Sequence, residues 1–350
     1  MPRVQVIWSR NNSEMGHQII QYLKQSKINI DDENICIINQ FANTEINVKL
    51  EKSVRDNDVY IISSGCATES MSINDSLVEL LMLISACSRS NASKITAVLP
   101  CFPYARADKK DHRGTIGAKV VINMLQVAGA TRIICMDLHA GQIQGMSDIP
   151  LDNLYGIGDI CGHLSHDIFE KYGKQNCLLV SPDAGSIKRT KAYANLLKIN
   201  YVILEKQRNY EINNTVEKSV LIGDASLIPN KYCIMIDDMI DTAGTMLKGA
   251  AELMSYNAKG VILVATHGIL SYPAIDRING AEFISDVVVT NTIPQTVHKS
   301  KCPKLSVVDV SYTLATVIER LSKADGESIS ELFEEKYIKE YHLESKLHNN

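Results

Sequence analysis

The chain has 350 residues, enough for two domains with cores of their own. A formal net charge of −4 and a pI of about 6.2 offer no basic footprint for nucleic acid and no attraction to an anionic membrane surface. Nine cysteines without CxxC spacing, several in apolar stretches (Cys36, Cys135, Cys177, Cys233), predict reduced core thiols of a cytoplasmic protein, not disulfides or a zinc site.

From the start, 4–8 reads as a strand and 11–25 as a helix with Met15, Ile19, Ile20 and Leu23 on one face. Phe41-Ala-Asn-Thr-Glu45 precedes the alternation Ile46, Val48, Leu50. Residues 58–62 form a strand ended by Ser63-Ser64-Gly65, 73–88 a helix, and 94–99 a strand closed by Pro100. The run 58–62, a loop, a helix, then Asn91-Ala-Ser-Lys-Ile-Thr-Ala-Val98 parallels 232–236, a loop, a helix, then Asn257-Ala-Lys-Gly-Val-Ile-Leu-Val264. Such a repeat predicts an α/β chain of two similar domains, each a mostly parallel sheet flanked by helices. They are expected over 1–155 and 156–333, followed by a polar tail, helical or frayed, over 334–350.

The stretch richest in chemistry is Tyr232-Cys-Ile-Met-Ile-Asp-Asp-Met-Ile-Asp-Thr-Ala-Gly-Thr-Met246. Apolar 233–236 reads as a buried parallel strand that ends in Asp237 and Asp238. The loop Asp241-Thr242-Ala243-Gly244-Thr245 then leads into a helix over 246–256. Strand, turn and helix aim backbone N–H groups and a helix dipole at an anion, usually phosphate. Gly244 permits close approach, Thr242 and Thr245 add hydroxyls, and the two acids sit where vicinal sugar hydroxyls would lie. The plain alternative is a capped strand-to-helix turn, which leaves adjacent acids at a strand end unexplained.

A strand over 132–136 would deliver Asp137 and His139 to one side, because strand side chains alternate. With Asp148 and Asp152 they offer ligands for a divalent cation, and Mg2+ suits phosphate chemistry because it takes few protein ligands. The charged run 102–115 is a solvated loop on the plain reading and a mobile arm, 104–119, clamping a polyphosphate on the functional one. Ser181-Pro-Asp-Ala-Gly-Ser-Ile-Lys-Arg189 repeats the strand–loop–helix order, with Asp183 facing the same cleft. Lys206 and Arg208 follow the apolar strand 201–204, at the edge where open α/β sheets bind ligands.

The stretch 237–245 resembles the phosphoribosyl-diphosphate-binding motif of the type I phosphoribosyltransferase fold. The 137–152 run reads Asp-Leu-His-x-x-Gln-Ile-Gln-Gly-x-x-x-Ile-Pro-Leu-Asp. With Pro100-Cys-Phe-Pro-Tyr-Ala-Arg106, Val180-Ser-Pro-Asp-Ala-Gly185 and Thr290-Asn-Thr-Ile-Pro-Gln295, it makes the chain similar, over 2–333, to ribose-phosphate diphosphokinases of the phosphate-activated class. That resemblance implies two type I phosphoribosyltransferase-like domains and transfer of the diphosphoryl group of ATP to the anomeric hydroxyl of ribose 5-phosphate. It also implies Mg2+ as cofactor and a homo-hexamer built from dimers. The ATP site would be shared, with Phe41, Asn43 and Glu45 of one subunit beside Arg106, Asp111 and His139 of the next. Asp241 to Thr245 would hold the 5-phosphate and Asp237 and Asp238 the ribose hydroxyls, with Asp183 bridging through the metal. Lys206, Arg208 and Arg106 would meet charge developing on the β-phosphoryl group. A regulatory anion site for phosphate and ADP would use Ser53, Arg55, Arg113, Ser328 and Ser330.

Three departures stand out: Ala107 where the family has Gln, an arm one residue shorter ending Arg113-Gly-Thr-Ile-Gly-Ala-Lys119, and Met146-Ser147 in place of an aromatic pair. Two rival readings remain, a phosphoribosyltransferase that consumes phosphoribosyl diphosphate and a catalytically weak, synthetase-associated regulatory subunit.

Overall fold

The computed structural model describes residues 3–343 apart from 27, 32, 208–217 and 324–326. Its central strands are buried along their whole length, so each sheet needs helices on both faces. The chain divides into two compact units.

The first unit runs to Tyr155 and takes back Thr292–Pro294 and Val310–Leu332. Its strands are β1 (Val4–Trp8), β2 (Ile30–Asp31), β3 (Cys36–Gln40), β4 (Ile46–Leu50), β5 (Asp58–Ile62), β6 (Lys94–Leu99), β7 (Arg132–Met136) and β8 (Leu151–Leu154). Six form one parallel sheet in the order β2-β1-β5-β6-β7-β8, while β3 and β4 pair as an antiparallel hairpin. Its first three helices are α1 (Ser13–Leu23), α2 (Ile73–Arg89) and α3 (Gly117–Ala128). Ser72 and Asp75 close a capping box at the start of α2, and Gly129, at φ +118°, ends α3 in the left-handed conformation.

The second unit begins at Gly156. Its strands are β9 (Cys177–Ser181), β10 (Tyr201–Gln207), β11 (Lys218–Ile222), β12 (Tyr232–Ile240), β13 (Gly260–Gly268), β14 (Ile284–Thr290) and β15 (Leu305–Val308). The sheet order is β11-β10-β9-β12-β13-β14-β15, with only β11 antiparallel. Its helices are α4 (Ile157–His163), α5 (Phe169–Tyr172), α6 (Ile187–Leu197), α7 (Gly244–Ser255), α8 (Ala274–Gly280) and α9 (Thr296–Lys301); α10 (Ser311–Ser322) belongs to the first unit and α11 (Glu335–Ile338) to the second. Without β11, the two sheets have the same order, β10-β9-β12-β13-β14-β15 matching β2-β1-β5-β6-β7-β8, as the repeat predicts.

Several boundaries differ from the sequence reading, two of them by more than a turn's fraying. β12 continues past Ile236 to Ile240, because its backbone keeps pairing with β13, Asp237 opposite Ala265 and Ile240 opposite Gly268. Residues 310–322 return to the first unit: α10 packs on α1, with Ser311 Oγ donating to Gln18 Oε1 at 3.0 Å and Tyr312 edge-on to Tyr22 at 5.3 Å. The described part of the tail is helical, one of the two forms expected, and Ile338 joins Ile160, Leu164 and Leu197 in the second core.

Candidate active site

In the second unit the acids at 237 and 238 lie inside the end of β12, not in a loop beyond it. Asp237 Oδ1 accepts from Ser186 Oγ at 2.9 Å and from the Asp238 N–H at 2.9 Å. Arg189 Nη1, from the first turn of α6, stands 3.8 Å from Asp237 Oδ1 and 3.8 Å from Asp238 Oδ1. Burial first, and then the Asp238 carboxylate, push the Asp237 carboxyl up to about 6. Asp183 Oδ1 accepts the Ser186 N–H at 3.0 Å, so one residue, Ser186, joins the loop after β9 to the acid pair. Ser186 and Arg189 were missed in the sequence. Their only signal was position, one and two residues either side of the start of α6, and that signal has meaning only once β9 is known to lie beside β12.

The loop after β12 has the anion-binding form. α7 begins at Gly244, and the Leu247 N–H bonds the Ala243 carbonyl at 2.9 Å, so the N–H groups ahead of it have no partner in the helix ladder. The hydroxyl-bearing Thr242 and Thr245 are exposed. Arg277 Nη1 donates to the Thr242 carbonyl at 3.0 Å and ties the loop to α8. The strained residue is Ala243, at φ +58°, which costs about 1–2 kcal/mol for a residue with a Cβ. Gly244 has an ordinary φ, and a Cβ there would meet only Arg277 Nη1 at 3.4 Å and Thr242 Oγ1 at 3.8 Å. Its value is room for the anion, not backbone freedom. Lys206 lies on β10, its backbone opposite Ser219, and Arg208 falls outside the described residues.

The equivalent loop of the first unit, after β5, is filled. Ser64 Oγ donates to the Thr292 carbonyl at 2.6 Å, the Ser64 N–H to Asn12 Oδ1 at 2.8 Å, and Asn12 Nδ2 to Ser64 Oγ at 3.0 Å. A Cβ on Gly65 would come within 2.3 Å of Pro103. Among the described residues, the loop after β12 stays open where the loop after β5 is filled.

The remaining first-unit residues distribute unevenly. Alternation does not carry Asp137 and His139, because β7 ends at Met136 and Asp137 turns into the left-handed region at φ +42°. Asp137 is buried and His139 exposed. The expected four-residue cation site is not assembled. Asp152 lies on β8 opposite Ile134, two residues short of the Met136–Leu154 pair and so about 7 Å down the strand, where it is paired with Arg132. Asp148 is exposed, with Lys119 Nζ at 3.7 Å. Among the described residues no three His, Cys, Asp or Glu side chains gather as a metal site. Phe41, 55% exposed, Asn43 and Glu45 stand on the turn of the β3–β4 hairpin, closed by the Phe41 N–H to the Glu45 carbonyl at 2.8 Å. The arm is a series of turns without helix or strand up to α3, with Arg106, Asp111 and Arg113 exposed. Ser53 accepts the Arg55 N–H at 3.3 Å and Ser328 the Ser330 N–H at 3.2 Å, two separate turns.

Two sheets of one strand order, one of them ending in adjacent acids and a strand–loop–helix turn of anion-binding form, are the architecture of type I phosphoribosyltransferase-like domains. The family model for the N-terminal domain of ribose phosphate pyrophosphokinase matches residues 4–129, and that for the phosphoribosyl synthetase-associated domain matches 217–334. The crystal structure of phosphoribosylpyrophosphate synthetase from Mycobacterium smegmatis is similar at a TM-score of 0.79 and 34% identity, over 91% of this chain and 98% of that one. The chain belongs to the ribose phosphate pyrophosphokinase family. It is a ribose-phosphate diphosphokinase, transferring the diphosphoryl group of ATP to the anomeric hydroxyl of ribose 5-phosphate. The adenine phosphoribosyl transferase from Trypanosoma brucei matches at 18% identity and a TM-score of 0.29, over 45% of this chain and 64% of that one, too slight to carry an argument. Among the described residues no helix is long and apolar enough to cross a membrane.

Proposed function

We propose that the two units divide the substrates, the first taking ATP and the second ribose 5-phosphate. The observation that carries this reading is in the second unit, where an acid pair held by Ser186 and Arg189 adjoins a helix start flanked by exposed threonines. The N–H groups of the 241–245 loop take the 5-phosphate, and Asp237 and Asp238 accept from the vicinal hydroxyls. This fixes the sugar so that its anomeric hydroxyl points at the β-phosphorus, and the reaction then depends on positioning and charge neutralisation. Lys206, Arg208 and Arg106 serve the charge that develops on the β-phosphoryl oxygens.

Magnesium fits this arrangement. It binds through one or two carboxylates plus phosphate oxygens, so the lack of a three-residue cluster among the described residues is no obstacle. Asp183 on the ribose side and Asp137 with His139 on the nucleotide side are the groups that would hold it; when bound, it neutralises polyphosphate charge. Phe41, Asn43 and Glu45, exposed on a hairpin turn, suit a nucleotide site completed by a neighbouring subunit of a hexamer built from dimers, which sedimentation of the full chain tests. Ser53, Arg55, Arg113, Ser328 and Ser330 form the regulatory anion site, where guanidiniums and hydroxyls offer phosphate-binding donors. A cytoplasmic setting accords with nine free thiols, eight of them buried.

The test is AMP formation from ATP and ribose 5-phosphate with no nucleobase present. Lys206→Ala is expected to lower kcat on the order of 100- to 1,000-fold while ribose 5-phosphate still binds. A variant turning over within a few-fold of wild type removes Lys206 from the chemistry.

A further inference from the structure

Two hydrogen bonds and one cation converge on one oxygen of Asp237. Ser186 Oγ and the Asp238 N–H each lie 2.9 Å from Oδ1, and Arg189 Nη1 stands 3.8 Å away. The same guanidinium nitrogen is 3.8 Å from Asp238 Oδ1, and Asp238 is 5% exposed. One cation of α6 therefore serves two adjacent, largely buried acids of β12. The arrangement has a physical need behind it. Two neighbouring carboxylates taken out of water repel one another, and the pair would relieve that by protonating or by swinging apart. Either change removes an acceptor.

We infer that Arg189, seconded by Ser186, is a positioning residue for the sugar: it holds Asp237 and Asp238 as a fixed pair of ionised acceptors for the ribose diol. This rests on the assignment of the acid pair to the ribose hydroxyls. The planar guanidinium is suited to it, because it is never deprotonated and can face two carboxylates at once. Neither β13 nor the loop after β9 brings a second cation to Asp237. β13 faces Asp237 with Ala265, and its titratable residue, His267, is opposite Met239. The loop after β9 brings Asp183, a further negative group, whose Oδ1 is occupied by the Ser186 N–H.

The experiment is steady-state kinetics of the full-length enzyme with each substrate varied in turn, for wild type, Arg189→Met, Arg189→Lys and Asp237→Asn. Arg189→Met keeps the packed stem and removes the charge. It is expected to raise the KM for ribose 5-phosphate on the order of 10- to 100-fold, the usual cost of losing a group that orients a ligand, with the KM for ATP within about twofold of wild type. Arg189→Lys should recover most of that loss. Equal rises for both substrates, or a lysine variant as impaired as the methionine variant, overturn the inference. If Arg189→Met does not fold, Arg189→Gln takes its place: a several-fold rise for ribose 5-phosphate at unchanged KM for ATP supports the inference, and no rise overturns it. Asp237→Asn separates the two levels of argument. If it leaves the KM for ribose 5-phosphate unchanged, the acid-pair assignment itself fails; if it raises that KM while the Arg189 variants do not, only the role of Arg189 falls.

Discussion

Under the proposed assignment of Asp237 to the ribose hydroxyls, stability and function oppose each other there, and Asp237→Asn should expose the conflict. Its carboxyl is pushed from 3.8 up to about 6, chiefly by burial and next by Asp238. A rise of about two pH units corresponds to roughly 3 kcal/mol against the ionised form in the folded protein. Because the folded value lies above the unfolded one, the penalty is absent below 3.8, grows as pH rises, and is complete above about 6. Asparagine keeps the Oδ1 acceptor for Ser186 Oγ and the Asp238 N–H, each at 2.9 Å, and removes the charge. Arg189 loses one of its two anionic neighbours but keeps Asp238 at 3.8 Å. That loss offsets part of the gain, leaving about 1–3 kcal/mol of stabilisation of the second unit at neutral pH. For a unit of this size each kcal/mol is worth about 2–4 °C in Tm. Calorimetric unfolding of wild type and variant at about pH 7.5 and about pH 5 measures it, and at the lower pH roughly half the gain should remain. The same variant should bind ribose 5-phosphate poorly, a stability gain at the expense of a strained site. A variant less stable than wild type at neutral pH, or a gain that does not shrink on acidification, would refute the account of the Asp237 carboxyl.

Three further outcomes follow from the site. Gly244→Val should fold, since the backbone is ordinary and the neighbouring contacts are loose, yet abolish ribose 5-phosphate binding by filling the anion's approach; calorimetry should show ATP binding intact, and equal loss of both ligands would point to misfolding instead. Ala107 is half-buried against Gly117, where a Cβ would sit 3.0 Å from its own, so in Ala107→Gln the amide must extend outward along the arm. A lower KM for ATP is expected, and no change or a rise would mean that the nucleotide is read by other groups. With an arm one residue short, ordering it around a regulatory anion costs more, so activity should need little added phosphate and ADP should compete with ATP. Initial rates at several ADP concentrations decide this: a fall in Vmax at saturating ATP, reversed by phosphate, would show full coupling.

Much of the chain was legible because its signals are local. Apolar runs such as 58–62 and 94–99 match β5 and β6 to the residue, and the paired runs around 58–98 and 232–264 anticipated two sheets of like order. The acids at 237 and 238 and the turn at 241–245 were readable for the same reason: adjacency in sequence already makes them neighbours in space. What pairing across the sheets decides was not readable. Asp137, Asp148 and Asp152 look like one cation site on paper, but the register of β8 against β7 sets Asp152 beside Arg132, and Asp148 faces Lys119. The strand at 233–236 gave no hint of continuing to Ile240, because acidic residues there are tolerated only where β13 supplies a backbone partner.

Composition and spacing within single strand–loop–helix segments were enough to read the fold class, the repeat, the open turn at 241–245 and the adjacent acids. Only the tertiary structure decided what holds that pair. Ser186 and Arg189 reach Asp237 across about fifty residues of chain because β9 and β12 are neighbours in the sheet, and α6 leaves β9 on the side where the acids end. It likewise decided that strain sits at Ala243 instead of Gly244, and that residues 310–322 close the first unit. These depend on which surfaces bury against each other, and burial is a property of the whole chain that no short stretch carries.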